Sequence, residues 1–276
     1  MAGGFRVREQ KFICGKDYAT AETMQVDFFE ITEQQHKAST RKKKELASSI
    51  AKEAYNLRQS GRYLELLIQR NFRRTDYSVT YTYDNDRLPA PGDMERVDKD
   101  FSAAMKKLYR MCDKAGIEHP GWIDVAEYMT YVDGRWIGRH HHHIVMQHTK
   151  GLTREMIEKA WGDRGMARCE PLHFDHGYVV GLSKYIMKNV RCKRHWRQSR
   201  GLKPPKIPRP NDGKMSRGKL KDVCENRLED RAFWEKMYPG YTLHYCEPII
   251  TGNSTRHLIV RLYRKETGMK NRRNQP

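Results

Sequence analysis

Residues 77–83 read YSVTYTY, and six of these seven side chains are β-branched or aromatic. Such side chains pack well on the pleated surface of a sheet, so the stretch predicts a β-strand. Outward along the chain, residues 93–116 predict a helix that ends at Gly116, and residues 122–129 and 141–147 predict two more strands. Helices alternate with strands, and the connections are short enough for hairpins. This pattern predicts an α+β fold, an antiparallel β-sheet with packed helices.

The rest of the chain predicts shorter elements. They are helices at residues 45–68 with a break near Gly61, 152–161 with Thr153 as N-cap, 175–190 and 228–237, an irregular connection at 203–210, and two pairing strands at 242–250 and 256–263. The sequence therefore divides into three predicted regions. These are a basic, mixed and helical N-terminal extension (1–75), a core (76–192), and a basic C-terminal region with a short helix and strands (193–276).

Composition limits the class of protein. Of the 276 residues, 38% are hydrophobic and 10% aromatic, which is enough for a packed core and excludes full disorder. No run approaches the roughly 18 apolar residues of a membrane span, and residues 1–10 lack an apolar signal stretch. Six cysteines lie far apart without a CxxC pair, which argues against a zinc ribbon or disulfide framework. We expect the chain to stay in a reducing cytoplasm.

Positive charge is concentrated in parts of the chain. The formal net charge is +19, and residues 184–221 contain fourteen Lys and Arg but one acidic residue, Asp212. Such a run is usually a solvated face, but aromatic residues such as Tyr185 and Trp196 lie within this one. A polyanion is the expected partner. Nucleic acid is favoured over an acidic membrane surface because no amphipathic basic helix accompanies the charge.

Four consecutive histidines occur in GRHHHHIVMQ, residues 138–147. Side chains alternate along a strand, so His141 and His143 share one face while His142 lies on the other. A lone histidine on a strand is usually a core residue, but two imidazoles at i and i+2 lie close enough to bind one cation. The run predicts a metal site at His141 and His143, with His140 and His142 as the alternative pair.

The preceding strand offers a third ligand. Alternation in IDVAEYMT, residues 123–130, places Glu127 on one face with Ile123 and Val125. An unpaired carboxylate in that register is costly, so its explanations are a metal ion or a salt bridge to a Lys or Arg at the sheet end. Two neutral imidazoles and one carboxylate leave positions open on a divalent ion. If the substrate is rich in oxygen, as a phosphodiester is, the expected ion is Mg²⁺ or Mn²⁺ and not a structural zinc with all its positions filled.

The predicted helix at residues 175–190 carries Tyr185 and Lys188, three positions apart. Residues at this spacing are neighbours on a helix, so Lys188 can contact an anion that Tyr185 meets. A tyrosine with a free pKa of about 10 is a poor nucleophile unless a cation or base lies near it. The YxxK pattern arises by chance in many helices, and it gains weight here because paired histidines precede it by about forty residues.

Together, these motifs resemble those of the HUH endonucleases. GRHHHHIVM is similar to their histidine-hydrophobic-histidine strand, VAEYMTY to the strand before it, YSVTYTYDNDRLP to their first strand motif, and LSKYIMK to their single-tyrosine motif. Order and spacing are most similar to the rolling-circle replication initiators of phages, plasmids and integrated elements in bacteria. The resemblance covers residues 77–190 well. RHWRQSRGLKPP and FWEKMYPGYTLHYCE also resemble the C-terminal part of phage-type replication proteins.

The resemblance implies a site and a reaction. His141, His143 and Glu127 would bind the metal, Tyr185 would be the nucleophile and Lys188 its helper, on an RRM-like palm formed by the core region. Attack by Tyr185 on a phosphodiester would give a 5′-phosphotyrosine and free a 3′-OH for a host polymerase. The expected substrate is single-stranded or hairpin origin DNA in a bacterial cytoplasm. No GxxxxGK[ST] motif occurs, so a host helicase is a further expected partner.

The basic block around Tyr185 is expected to hold this DNA. Its candidate contacts are Lys184, Arg191, Lys193, Arg194, Trp196 and Arg197. Trp196 is placed to stack on an unpaired base, with ordinary packing as an equal alternative. Tyr178, seven residues before Tyr185, is the less favoured nucleophile.

Other functions fit the same residues. A mobilisation relaxase or a single-tyrosine transposase would use the same site on different DNA. A non-catalytic DNA-binding regulator would need neither a nucleophile nor a catalytic metal. A basic structural protein would bind RNA tightly and without metal dependence.

Overall fold

The computed structural model describes residues 5–14, 21–32, 50–176, 178–179, 196–250 and 255–265. Within these residues the chain forms five helices and two larger antiparallel sheets, which confirms the predicted α+β class. The chain divides into two compact units. The central unit is Ser48–Pro204, and the terminal unit combines Met1–Ala47 with Pro205–Pro276. None of the described helices is long and apolar enough to cross a membrane.

The strands are β1 (Phe5–Cys14), β2 (Thr23–Thr32), β3 (Tyr77–Thr82), β4 (Trp122–Glu127), β5 (Thr130–Val132), β6 (Arg135–Ile137), β7 (His141–Met146), β8 (Ala167–Pro171), β9 (Phe174–Asp175), β10 (Tyr178–Val179), β11 (Arg197–Gln198), β12 (Tyr241–Ile250) and β13 (Arg256–Arg264). The helices are α1 (Ile50–Asn71), α2 (Met94–Ala115), α3 (Arg154–Trp161), α4 (Arg217–Asn226) and α5 (Arg231–Met237).

The central unit is built on a five-stranded sheet in the order β11-β4-β7-β3-β8. Each neighbouring pair is antiparallel, and β7 lies between β4 and β3. In this register His141 lies opposite Glu127 on one side and Thr82 on the other. The predicted strands at 77–83, 122–129 and 141–147 are confirmed, each slightly shorter than predicted.

Two helices of the central unit begin where the sequence predicts. The Asp93 side chain accepts a hydrogen bond from the Arg96 N–H and caps α2, and Gly116 ends that helix with a φ of 66°. A left-handed φ of this kind favours glycine, which explains why the helix stops there. At α3, the Thr153 hydroxyl accepts from the Met156 N–H, as expected for an N-cap.

The two faces of the central sheet are covered differently. On one face, α2 and α3 pack Phe101 and Trp161 against Tyr81 and Ile144. On the other face, α1 packs its apolar residues against the sheet residues Ile123, Val125 and Val145. His141 and His143 lie on this second face, before Val145 in β7.

The structure corrects two helix predictions. α1 continues through Gly61 without a break. One internal glycine costs about 1 kcal/mol relative to alanine, less than the gain from burying apolar residues such as Leu64 and Leu67. The helix predicted from residue 175 does not begin there, because β9 and β10 pair across a turn in which His176 has a φ of 45°. A left-handed residue cannot continue a right-handed helix, and residues 180–195 lie outside the described residues.

The terminal unit joins the two ends of the chain in one sheet of order β1-β2-β13-β12. Its core gathers around Trp234 of α5, which is fully buried. The predicted pairing of residues 242–250 with 256–263 is confirmed by β12 and β13. The long strands β1 and β2 were not predicted as strands. The two structural units meet at residues 47/48 and 204/205 along the chain. The three regions expected from the sequence, 1–75, 76–192 and 193–276, concern function and stay predictions.

Candidate functional site

The three predicted ligands meet on one face of the central sheet. Glu127 ends β4, and His141 and His143 lie on the neighbouring strand β7. The Nε2 atom of His143 is 3.2 Å from Oε2 of Glu127. The ring centroids of the two histidines are 6.1 Å apart. The three side chains share one sheet face, as strand alternation predicts, and their role as ligands stays a prediction.

The third strand of this site contributes a hydroxyl. Thr82 of β3 lies opposite His141, and its Oγ1 is 3.2 Å from Nδ1 of that imidazole. Such a contact fixes the orientation of a ring that has two nonequivalent nitrogens. Thr82 was not among the predicted site residues, although it lies within the first strand motif. It is the last residue of β3.

Partial burial favours the neutral form of His143. Its side chain is 12% exposed, and that of Glu127 is 19% exposed. Burial lowers the pKa of His143 below its ordinary value, and this outweighs the opposite effect of the Glu127 carboxylate. A neutral imidazole keeps a lone pair, which is the form that binds a metal ion.

The donor set fits a divalent ion in its chemistry. Two imidazoles and one carboxylate are common ligands of transition and divalent metals. The 3.2 Å between Nε2 of His143 and Oε2 of Glu127 is a hydrogen-bond distance, and it also matches the separation of two ligand atoms that each lie about 2.0–2.2 Å from one ion. Across the part of the chain that the structure describes, no three His, Cys, Asp or Glu side chains are already arranged around a metal position. Metal binding therefore requires these side chains to rearrange around the ion.

The intervening histidine has a different environment. His142 is fully buried on the opposite face, and its Nδ1 is 3.1 Å from Oδ1 of Asp124. Its ring lies between Phe101 and Trp161, with centroid distances of 5.0 and 5.7 Å. Its Nε2 atom is buried without a hydrogen-bond partner. Because Nε2 has no partner, the hydrogen bond of this ring is the one between Nδ1 and Asp124.

Arg197 completes this buried network. Its Nε and Nη2 atoms lie 3.0 and 2.5 Å from Oδ2 of Asp124. The guanidinium also lies 4.5 Å from the Phe101 ring centroid and pairs with Asp98 at 3.0 Å. Burial alone would raise the pKa of Asp124, but His142 and Arg197 outweigh it and lower that pKa. Asp124 is therefore a buried carboxylate that keeps its charge.

The alternative histidine pair is inaccessible from solvent. His140 and His142 are both fully buried. Nδ1 of His140 accepts from the Met129 N–H at 3.2 Å, and its Nε2 lies 3.4 Å from the Ala90 carbonyl. Burial is the main cause that lowers the pKa of His140. Both nitrogens of His140 thus face backbone groups, which leaves His141 and His143 as the accessible pair.

The predicted DNA contacts are only partly described. Trp196 stacks on Tyr63 with centroids 6.2 Å apart, so it has a packing role, and base stacking stays a prediction. The Arg197 side chain is 14% exposed and engaged by Asp124, so the structure gives it an internal role in addition to its predicted contact. The remaining predicted residues lie outside the described residues. They are Tyr185, Lys188, Lys184, Arg191, Lys193 and Arg194.

Comparisons with known proteins do not identify a family. No protein-family model, curated protein or solved structure matches this chain.

Proposed function

We propose that this chain is an HUH-type endonuclease that nicks and rejoins single-stranded origin DNA to initiate rolling-circle replication. One observation carries the proposal: Glu127, His141 and His143 lie on one sheet face, with a 3.2 Å contact between His143 and Glu127. A five-stranded antiparallel sheet with helices on both faces is compatible with the RRM-like palm that the motifs imply. The net charge of +19 suits a polyanionic substrate.

In the proposed reaction, the Tyr185 hydroxyl oxygen attacks the scissile phosphorus. A bond forms between this oxygen and phosphorus, the bond from phosphorus to the 3′-oxygen breaks, and the strand keeps a free 3′-OH. Tyr185 loses its proton, and the departing 3′-oxygen gains one. Lys188 stabilises the phenolate that forms, and His141 and His143 with Glu127 would hold Mg²⁺ or Mn²⁺. That ion would polarise a non-bridging phosphate oxygen.

The covalent product retains the energy of the phosphodiester, so rejoining needs no ATP. Attack of a 3′-OH on the phosphotyrosine reverses the first step and releases Tyr185. A host helicase and host polymerase, in the cytoplasm of a bacterial cell, would separate and extend the strands. A relaxase or single-tyrosine transposase would use the same chemistry on different DNA.

The proposal is tested with 5′-labelled and 3′-labelled single-stranded DNA from the replicon of the chain. After incubation with Mn²⁺, a denaturing gel should show a protein–DNA adduct that EDTA and Tyr185→Phe abolish. Tyr178→Phe is the matched control, because it removes one hydroxyl from a buried tyrosine seven residues away. Persistence of the adduct in Tyr185→Phe would contradict the assignment of the nucleophile.

A non-catalytic DNA-binding regulator is the second candidate. It is favoured by the direct contact between His143 and Glu127, which satisfies both groups without a metal ion. A regulator would bind the origin tightly and form no adduct with any fragment or divalent metal. The same gel, run beside a binding assay, separates the two functions.

A further inference from the structure

The terminal unit contains a pocket between α4 and α5 that takes no part in the candidate site. Its volume is about 470 Å³, within the range of small-molecule sites. Four cationic side chains line it with one carboxylate and one aromatic ring. These residues are Lys214, Lys219, Arg227, Lys236, Asp222 and Phe233.

The charges around this pocket are unbalanced. Arg227 is paired with Asp222, with Nε 2.8 Å from Oδ2. Lys214, Lys219 and Lys236 have no carboxylate within 4.0 Å among the described residues. Like charges gathered around one concave surface repel one another, and a bound anion relieves that repulsion. The pocket is therefore suited to an anionic ligand with more than one contact.

The pocket also has an aromatic wall. The Lys219 ammonium is 5.3 Å and the Arg227 guanidinium 5.8 Å from the Phe233 ring centroid. Phe233 is half-buried, and its edge-to-face contact with the buried Trp234, at 4.9 Å, fixes the ring on the core. Both cations lie over this ring, so a nucleobase stacks on Phe233 by displacing one of them, and the displaced cation is then available to the phosphate.

We propose that this pocket binds a nucleotide unit, with phosphate at Lys214, Lys219 and Lys236 and the base against Phe233. The unit belongs to a single strand of nucleic acid, because a chain with a net charge of +19 suits a polyanion with many phosphates better than a single nucleotide. The pocket shares no residue with Glu127, His141 and His143, which belong to the central unit. It would hold nucleic acid whether or not the chain cleaves DNA.

The first experiment measures binding of a fluorescein-labelled oligothymidylate by anisotropy, with EDTA present to prevent cleavage. The full chain is compared with Lys219→Gln/Lys236→Gln, which removes one pocket lysine from the α4 side and one from α5. The matched control, Lys221→Gln/Arg231→Gln, removes one exposed charge from each of the same helices outside the pocket. The pocket variant should weaken binding about tenfold or more, and the control less than about threefold.

Salt dependence and base dependence then sharpen the assignment. Loss of two phosphate contacts should reduce the slope of log K against log salt by about 1.4. Phe233→Leu should weaken oligothymidylate binding about fivefold or more, yet leave binding of an abasic strand of equal length unchanged. Thermal melting of every variant shows whether folding is retained. If Phe233→Leu fails to fold, the pocket variant and its matched control still decide the outcome.

Competition identifies the source of the nucleotide. Thymidine monophosphate and inorganic phosphate should displace the labelled strand only at concentrations far above that of unlabelled oligothymidylate. Displacement by the mononucleotide at equal concentration would overturn the strand assignment in favour of a free nucleotide. Equal losses in the pocket and control variants would overturn the pocket itself. Because EDTA is present, neither result depends on the nicking reaction.

Discussion

Adjacent histidines of β7 lie in opposite environments on the two faces of the central sheet. His142 is fully buried among aromatic rings and bonded to Asp124. His143, the next residue, is partly exposed and contacts Glu127. The side chains are identical, so the difference comes only from strand alternation and from which carboxylate the neighbouring strand β4 presents. One strand thus provides a structural anchor on one face and a candidate metal site on the other.

The anchor connects distant parts of the sequence. Asp124 lies three residues before Glu127, and Arg197 follows Tyr185 by twelve residues. The pair between Asp124 and Arg197 therefore attaches the chain that follows the proposed nucleophile to the strand that carries a proposed ligand. A buried ion pair is a weak source of stability by itself, but its geometry is specific.

The largest expected effect on stability comes from disrupting the buried contacts of Asp124. Arg197→Ala removes the guanidinium whose Nε and Nη2 atoms both donate to the fully buried carboxylate of Asp124. We expect the free energy of unfolding to fall by about 3–5 kcal/mol, as measured by urea denaturation.

The control for this variant is an exposed ion pair of the same sheet. Arg168 and Glu170 of β8 are 2.6 Å apart, with side chains 72% and 54% exposed. Arg168→Ala should cost less than about 1 kcal/mol because water screens the pair. Equal losses in the two variants would mean that Arg197 is not a buried anchor.

Substitutions on the face that carries His141 and His143 should have the opposite effect: a large loss of activity and a small loss of stability. His141→Ala and His143→Ala each remove a proposed ligand from a partly exposed position. We expect the rate of adduct formation with Mn²⁺ to fall about 100-fold or more, while the free energy of unfolding changes by about 1 kcal/mol.

Single-turnover gels with origin DNA measure this rate. His148→Ala is the control, because His148 is exposed and follows the same strand without belonging to the site. Full activity in either His141→Ala or His143→Ala would exclude that residue as a ligand. The regulator alternative predicts that all three variants keep their DNA affinity and that none forms an adduct.

Local patterns predicted those parts of the molecule that depend on neighbouring residues. Alternation placed Glu127, His141 and His143 on one face, and capping residues marked α2 and α3. The pairing of Asp124 with Arg197 spans 73 positions and depends on which strands become neighbours. In the sequence, Arg197 looks like one of many basic surface residues. The signal for its role was Asp124, a carboxylate on the core side of IDVAEYMT, because a buried carboxylate needs a cation as its partner.

The sheet of the terminal unit could not be predicted from local sequence patterns, for a related reason. Its sheet pairs β2 with β13, which are more than two hundred residues apart, and no local pattern contains that information. The same division splits the basic run at residues 184–221 between both units. Lys214 and Lys219 therefore form a pocket with Phe233 and Lys236 of α5, which charge counting along the sequence did not connect.

The smallest expected effect is a difference in acid response between the two faces. The folded pKa of His143 is lower than its ordinary value of 6.5, so below pH 6.5 the unfolded chain binds a proton that the folded chain does not. The free energy of unfolding should therefore fall as pH decreases from 6.5, until the folded imidazole also becomes protonated. Each unit of pKa difference contributes about 1.36 kcal/mol. His143→Gln should flatten the curve of stability against pH in this window.

Asp124 should act at lower pH, because its folded pKa lies below the ordinary 3.8. A lowered carboxyl pKa stabilises the folded chain above pH 3.8, and that stabilisation is lost as pH falls through the folded pKa. Asp124→Asn should therefore flatten the acid limb below about pH 4 and leave the His143 window unchanged. Urea denaturation from pH 7 to pH 3 measures both windows in one series. If His143→Gln flattened the acid limb as well, the two faces would not titrate independently, and the separation of anchor from site would be wrong.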